Sequence, residues 1–119
     1  MESTLGELWV PLMDGPTLRL DRCAICGRPY PLNQHHPVRR SAGELVRDGR
    51  RVKKPTITLC GSGNQLADAS GRYFCHGLAH AQRLHFRVVD GRWQYLILRT
   101  PTPFAEALEM EGWRWVYER

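Results

Sequence analysis

Four cysteines and four of the five histidines hold most of the chemistry this chain can do. In order they are Cys23 and Cys26, His35 and His36, Cys60, and then Cys75, His76 and His80. Zinc prefers four tetrahedral ligands, and thiolates at Cys-x-x-Cys spacing can bind it from one turn of backbone. Cys23 and Cys26 supply one pair. Cys60 and Cys75 supply the other across fourteen intervening residues, a loop whose closure costs only modestly more entropy than a short knuckle. The alternatives are four buried, unpaired cysteines or two disulfides. A redox role for Cys23 and Cys26 lacks the strand–helix context it requires.

The histidines form a separate argument. His76 and His80 stand four apart on a helix predicted over Cys75 to Leu84, so both imidazoles, and Leu84, share one face. A lone histidine there would be an ordinary core or surface residue. A pair at this spacing, with two more histidines upstream, points to a bound divalent ion. Three neutral imidazoles suit Zn, Ni or Mn better than Mg, which prefers oxygen ligands. His85 lies off this face and reads as structural.

Charge adds a candidate surface. The chain carries a formal +5. Between Pro37 and Lys54, Arg39, Arg40, Arg47, Arg50, Arg51, Lys53 and Lys54 face only Glu44 and Asp48, so the whole excess lies in this segment. It is either a solvated basic loop or a phosphate-backbone contact, and its place directly after His35-His36 favours the second.

Length bounds the architecture. At 119 residues the chain is expected to be a single domain, small enough for a metal staple to matter. No apolar run approaches the ~20 residues of a membrane span. The stretch Met1 to Leu8 lacks the basic region and apolar core of a signal peptide, so a cytoplasmic protein with reduced thiols is expected.

Elements that must position these residues follow from pattern. Residues 1–20 read as an extended lead-in, with Trp9-Val10 and Leu18-Arg19-Leu20 separated by the turn formers Asp14-Gly15-Pro16. Leu45-Val46 and Val52 flank a hairpin turn at Asp48-Gly49. Thr56 to Leu59 should be a strand delivering Cys60. Gly61 to Gly71 reads as an irregular loop. Phe86 to Val89, Asp90-Gly91 and Arg92 to Leu98 form a hairpin pattern. Thr102 is placed as cap and Pro103 as first residue of a helix through Met110, ended by Gly112, with a short strand over Trp113 to Tyr117. The C-terminal aromatics read as sheet-packing residues rather than a base-stacking platform.

Taken together, Cys23/Cys26, His35-His36, Leu59-Cys60 and Cys75-His76-Gly77-Leu78-Ala79-His80 resemble the His-Asn-His (HNH) nucleases, a branch of the ββα-metal endonucleases. The match covers about Cys23 to Phe86. The wording around these residues, His-His-Pro-Val-Arg-Arg-Ser and Ile-Thr-Leu-Cys-Gly-Ser-Gly-Asn, is similar to small HNH proteins of bacterial prophages. The resemblance implies an α+β fold: a zinc-stapled ββα-metal core over 21–86, with the lead-in before it and an accessory hairpin, helix and strand over 87–119. It implies that His36 is the general base, that His35, His76 and His80 hold one catalytic divalent ion, and that Cys23, Cys26, Cys60 and Cys75 hold structural zinc. The chain departs from the family pattern in two places. The loop between Cys60 and Cys75 is longer than the usual knuckle. The only candidate for the orienting asparagine after the basic segment is Asn64, which follows Cys60 where the family places its Asn a few residues earlier; Asn64 reads equally well as a turn residue.

The expected activity is metal-dependent hydrolysis of DNA phosphodiester bonds, by a monomer if it nicks or a homodimer if it cuts both strands. The expected setting is a bacterial host cell, with the protein encoded by a phage or prophage. The alternative is a zinc-stabilised DNA-binding or assembly module without catalysis. Phage packaging proteins are partners by resemblance only.

Overall fold

Leu84, Phe86 and Val88 alternate with more polar neighbours, as do Ile57 and Leu59 around Thr58. This period of two sends one set of side chains inward. The computed structural model describes residues 16–37, 45–47, 49–52, 54–62 and 64–116. Expectations for Trp9-Val10, Asp14-Gly15, Arg39, Arg40, Asp48, Lys53 and Tyr117 lie outside these residues. The elements are β1 (Leu32–His35), β2 (Leu45–Arg47), β3 (Arg50–Val52), β4 (Ile57–Cys60), α1 (Cys75–His80), β5 (Leu84–Val89), β6 (Arg92–Ile97), α2 (Phe104–Leu108) and β7 (Arg114–Trp115). The architecture is mixed α and β, with three small antiparallel sheets among the described residues: β1–β4, β2–β3 and β5–β6–β7.

β4 is the central element. It pairs with β1 in a register that sets His35 opposite Ile57 and Leu32 opposite Cys60. On the lead-in side, Leu18 forms a parallel bridge to Ile57, with the Leu18 amide donating to the Thr56 carbonyl at 2.8 Å. Thr58 is buried yet polar. Its hydroxyl bonds the Gln34 side-chain oxygen and accepts from the Leu20 amide at 2.9 Å. These bonds satisfy a hydroxyl whose burial would otherwise cost about 1–3 kcal/mol.

Ile57, Leu59, Phe86 and Trp93 form the centre of the core, together with the buried Cys23, Cys60 and Cys75. Trp93 is fully enclosed. Its indole N–H donates to the Pro16 carbonyl at 2.8 Å, which ties the lead-in to the C-terminal sheet. Phe86 meets it edge to face, with ring centroids 5.8 Å apart.

Both expected hairpins form. β2 and β3 pair around residues 48–49, with Arg47 opposite Arg50, and β5 and β6 pair around Asp90-Gly91. Four boundaries differ from expectation. Helix α1 stops at His80, so Leu84 is not on its face. Gln82 adopts φ 60°, the chain reverses, and Leu84 begins β5 with its side chain buried. The alternation of Leu84, Phe86 and Val88 outweighs the helical spacing of Leu84 from His80. Thr102 does not cap α2. Its hydroxyl donates to the Thr100 carbonyl at 3.1 Å, and Pro103 holds the cap position without a side-chain bond. Helix α2 also ends at Leu108, short of Met110, and the last strand is only Arg114–Trp115. The loop before α1 is organised around Asp68. Its carboxylate accepts from the Ser70 amide, the Ser70 hydroxyl and the Arg72 amide, and Ala67 bridges Tyr73.

Candidate metal centres

Strand end and helix start meet at the cysteines. The Cys23–Cys26 turn closes through the Gly27 amide, which donates to the Cys23 carbonyl at 3.0 Å. Cys60 ends β4 and Cys75 opens α1. The four sulfur atoms lie within 4.8 Å of one another. All four are free thiols, three buried and Cys26 exposed. The Cys26 and Cys60 sulfurs are 3.6 Å apart, and the Cys75 amide donates to the Cys60 sulfur at 3.2 Å.

The thiols interfere with each other's ionisation. Hydrogen bonds from Cys26, Cys60 and Cys75 push the Cys23 thiol strongly down, whereas hydrogen bonds to Cys23, Cys26 and Cys60 push Cys75 far up. Cys26 also shifts down and Cys60 up, so thiolates form at some positions at the expense of the others. A divalent cation relieves this conflict, because coordination deprotonates thiols outright. The donor set fits a tetrahedral structural zinc. Four thiols this close make a metal site a better reading than isolated core cysteines.

The second cluster lies one residue further along α1. His35, His76 and His80 each place a ring nitrogen within 4.8 Å of the others. The Nε2 atoms of His76 and His80 are 3.1 Å apart, and the His35 ring centroid is 5.2 Å from that of His76. Burial, followed by the charges of His76, His80 and His36, pushes His35 down to about 3. Burial and then His80 push His76 down as well. Both rings are therefore neutral near pH 7, the form in which imidazole binds a metal. His76 is buried and its Nδ1 has no hydrogen-bond partner. Three ring nitrogens within 4.8 Å of one another, with the His76 and His80 Nε2 atoms 3.1 Å apart, are spaced as ligands of a single ion, so these residues fit a divalent cation.

Two glycines that the motif does not emphasise set this geometry. A Cβ on Gly61 would lie 2.8 Å from the Phe74 Cβ and 3.2 Å from the His76 Cβ. A Cβ on Gly77 would lie 2.2 Å from the Leu66 carbonyl oxygen. The strand end and the loop thus press on α1 where no side chain fits. A glycine inside a predicted helix, between its two histidines, was the available signal, since glycine there costs about 1 kcal/mol relative to alanine.

The other site expectations fall as follows. His36 is partly buried directly after β1 and outside the three-histidine set. Asn64 is exposed in the turn closed by Ser62 and Gln65, and no hydrogen bond joins it to a histidine among the described residues. His85 is buried, with its Nε2 3.0 Å from the Gln82 carbonyl oxygen, as a structural residue would be. Of the basic segment, Arg50 and Arg51 are exposed and Lys54 is partly buried. Arg47 ends β2, and Arg39, Arg40 and Lys53 lie outside the described residues. Among the described residues no helix is long and apolar enough to cross a membrane. Set against protein-family models, curated proteins and solved structures, the chain matches none.

Proposed function

We propose that this chain is a metal-dependent endonuclease of the HNH type, hydrolysing phosphodiester bonds in DNA. The observation that carries the reading is the convergence of His35, His76 and His80 next to His36. In this reading β1, β4 and α1 are the ββα-metal core and the four cysteines hold a structural zinc that keeps them in register. His35, His76 and His80 hold one divalent ion, which when bound polarises a phosphate and stabilises charge on the leaving 3′ oxygen. His36, one residue past the ion's ligand on β1, accepts the proton of the attacking water. Imidazole is the side chain that exchanges a proton near neutral pH, which suits that task. The basic residues from Arg39 to Lys54 hold the flanking phosphates.

The position of Asn64 in an exposed turn favours a second reading, a zinc-stabilised DNA-binding or assembly module without catalysis. One experiment separates the two. Supercoiled plasmid is incubated with the protein and Mg, Mn or Ni ions. Open-circle or linear product supports the nuclease, and a mobility shift without any nicking sinks it in favour of the module.

A further inference from the structure

The β5–β6–β7 sheet has two faces with different fates. Leu84, Phe86, Val88 and Trp93 point into the core. On the opposite face α2 covers one end, where the Phe104 ring lies 6.0 Å from that of His85. Beyond it the face carries two arginine–tryptophan stacks. The Arg87 guanidinium sits 4.3 Å from the Trp113 ring centre, and that of Arg92 sits 4.4 Å from the Trp115 ring centre. Gln94 lies between them, accepting from Arg87 Nε at 2.7 Å and opposite Trp115 in register.

Two properties distinguish this face from ordinary sheet packing. Trp115 is 45% exposed, while Trp93 on the other face is 0% exposed. Neither Arg87 nor Arg92 makes an ion pair among the described residues. Strands β5, β6 and β7 carry Arg87, Arg92 and Arg114 and no acidic residue; the acidic residues of this region stand in the Asp90-Gly91 turn and on or after α2. The positive charge is therefore held over indole rings rather than neutralised by carboxylates. Planar, cationic and partly open surfaces of this kind suit a planar partner on an anionic chain. Every nucleic-acid base has a π-face that stacks on tryptophan or on a guanidinium plane.

We propose that the Arg87–Trp113 and Arg92–Trp115 face is a second nucleic-acid contact, one that stacks unpaired bases. It does not depend on the three-histidine cluster. A chain that binds single strands but never nicks plasmid would leave it standing.

The test uses the full zinc-loaded chain and a fluorescent oligothymidylate, with a duplex of equal length alongside. Trp115→Ala and Arg92→Ala should each weaken single-strand binding about tenfold and leave duplex binding unchanged, and Trp115→Phe should keep most of the affinity. Zinc content and far-UV circular dichroism confirm folding, and Arg92→Ala, at an exposed side chain, carries the test alone if Trp115→Ala fails to fold. Unchanged single-strand affinity in the arginine variant overturns the proposal. So does equal displacement of the oligonucleotide by polyglutamate, which would assign the face to an acidic protein partner.

Discussion

Cys75 and His76 are consecutive in the chain, yet their side chains belong to different donor sets. Cys75 joins Cys23, Cys26 and Cys60, and His76 joins His35 and His80 on the same first turns of α1. The thiol cluster thus fixes the helix end from which the histidines project, and damage to one set should propagate to the other.

Cys75→Ser tests that linkage. Serine cannot replace a thiolate toward zinc, and structural zinc contributes directly to folding. The thermal midpoint should fall by roughly 10 °C or more, zinc content should drop, and affinity for a divalent ion at the histidines should fall with it. A variant that loses zinc but keeps full ion affinity would show the two sites to be independent.

His36→Ala separates chemistry from binding. If His36 is the base, plasmid nicking should fall roughly 10²- to 10⁴-fold while zinc content, thermal midpoint and ion affinity stay near those of the parent. Nicking at the parental rate would remove His36 from the mechanism.

Gly77→Ala should destabilise the protein, against the usual preference for alanine in helices. The new methyl would meet the Leu66 carbonyl oxygen at 2.2 Å, and overpacking of this kind costs about 1–3 kcal/mol beyond the roughly 1 kcal/mol that alanine normally gains. Urea unfolding gives the sign directly. Because α1 must shift, ion affinity at His76 and His80 should weaken too.

pH dependence has a definite sign. The His35 pKa is lowered to about 3 in the folded chain, chiefly by burial and then by its neighbouring histidines. An unfolded histidine titrates near 6.5. Above that value neither state takes up the proton. As the pH falls below it the unfolded chain gains a proton that the folded one refuses, so stability drops toward pH 3. With the histidine site free of ion, stability should therefore fall between about pH 7 and about pH 5, and His35→Ala should flatten that slope. Urea titrations at both pH values measure it, and an identical slope in the variant would refute the assignment.

Much of this arrangement was legible in residue spacing. The Cys-x-x-Cys pair, the strand running into Cys60 and the i, i+4 histidines each state a local geometry, and local geometry is what spacing encodes. The boundaries that shifted were decided by tertiary packing. Leu84 satisfied a helical repeat and a strand alternation equally well, and the buried partner positions in the sheet settled it. Thr102 had the chemistry of a cap, but its hydroxyl found the Thr100 carbonyl first. The close approach at Gly77 depends on where the Leu66 carbonyl arrives from the preceding loop, which spacing within the helix cannot express. The basic segment was visible as charge alone. Asn64 matched in chain order, whereas its place in an exposed turn depends on how the loop after Cys60 folds.

The loop around Asp68 has a practical meaning for anyone altering this protein. Gly61 at its start and Leu66 against Gly77 hold the ends where the ligands lie, while Asp68, Ser70 and Arg72 close a turn of their own. Chain spliced in near Ser70 would lengthen a segment already sealed at its base. The tip of this loop is thus the natural port for a tag, a reporter or a foreign recognition peptide, added without disturbing either donor cluster.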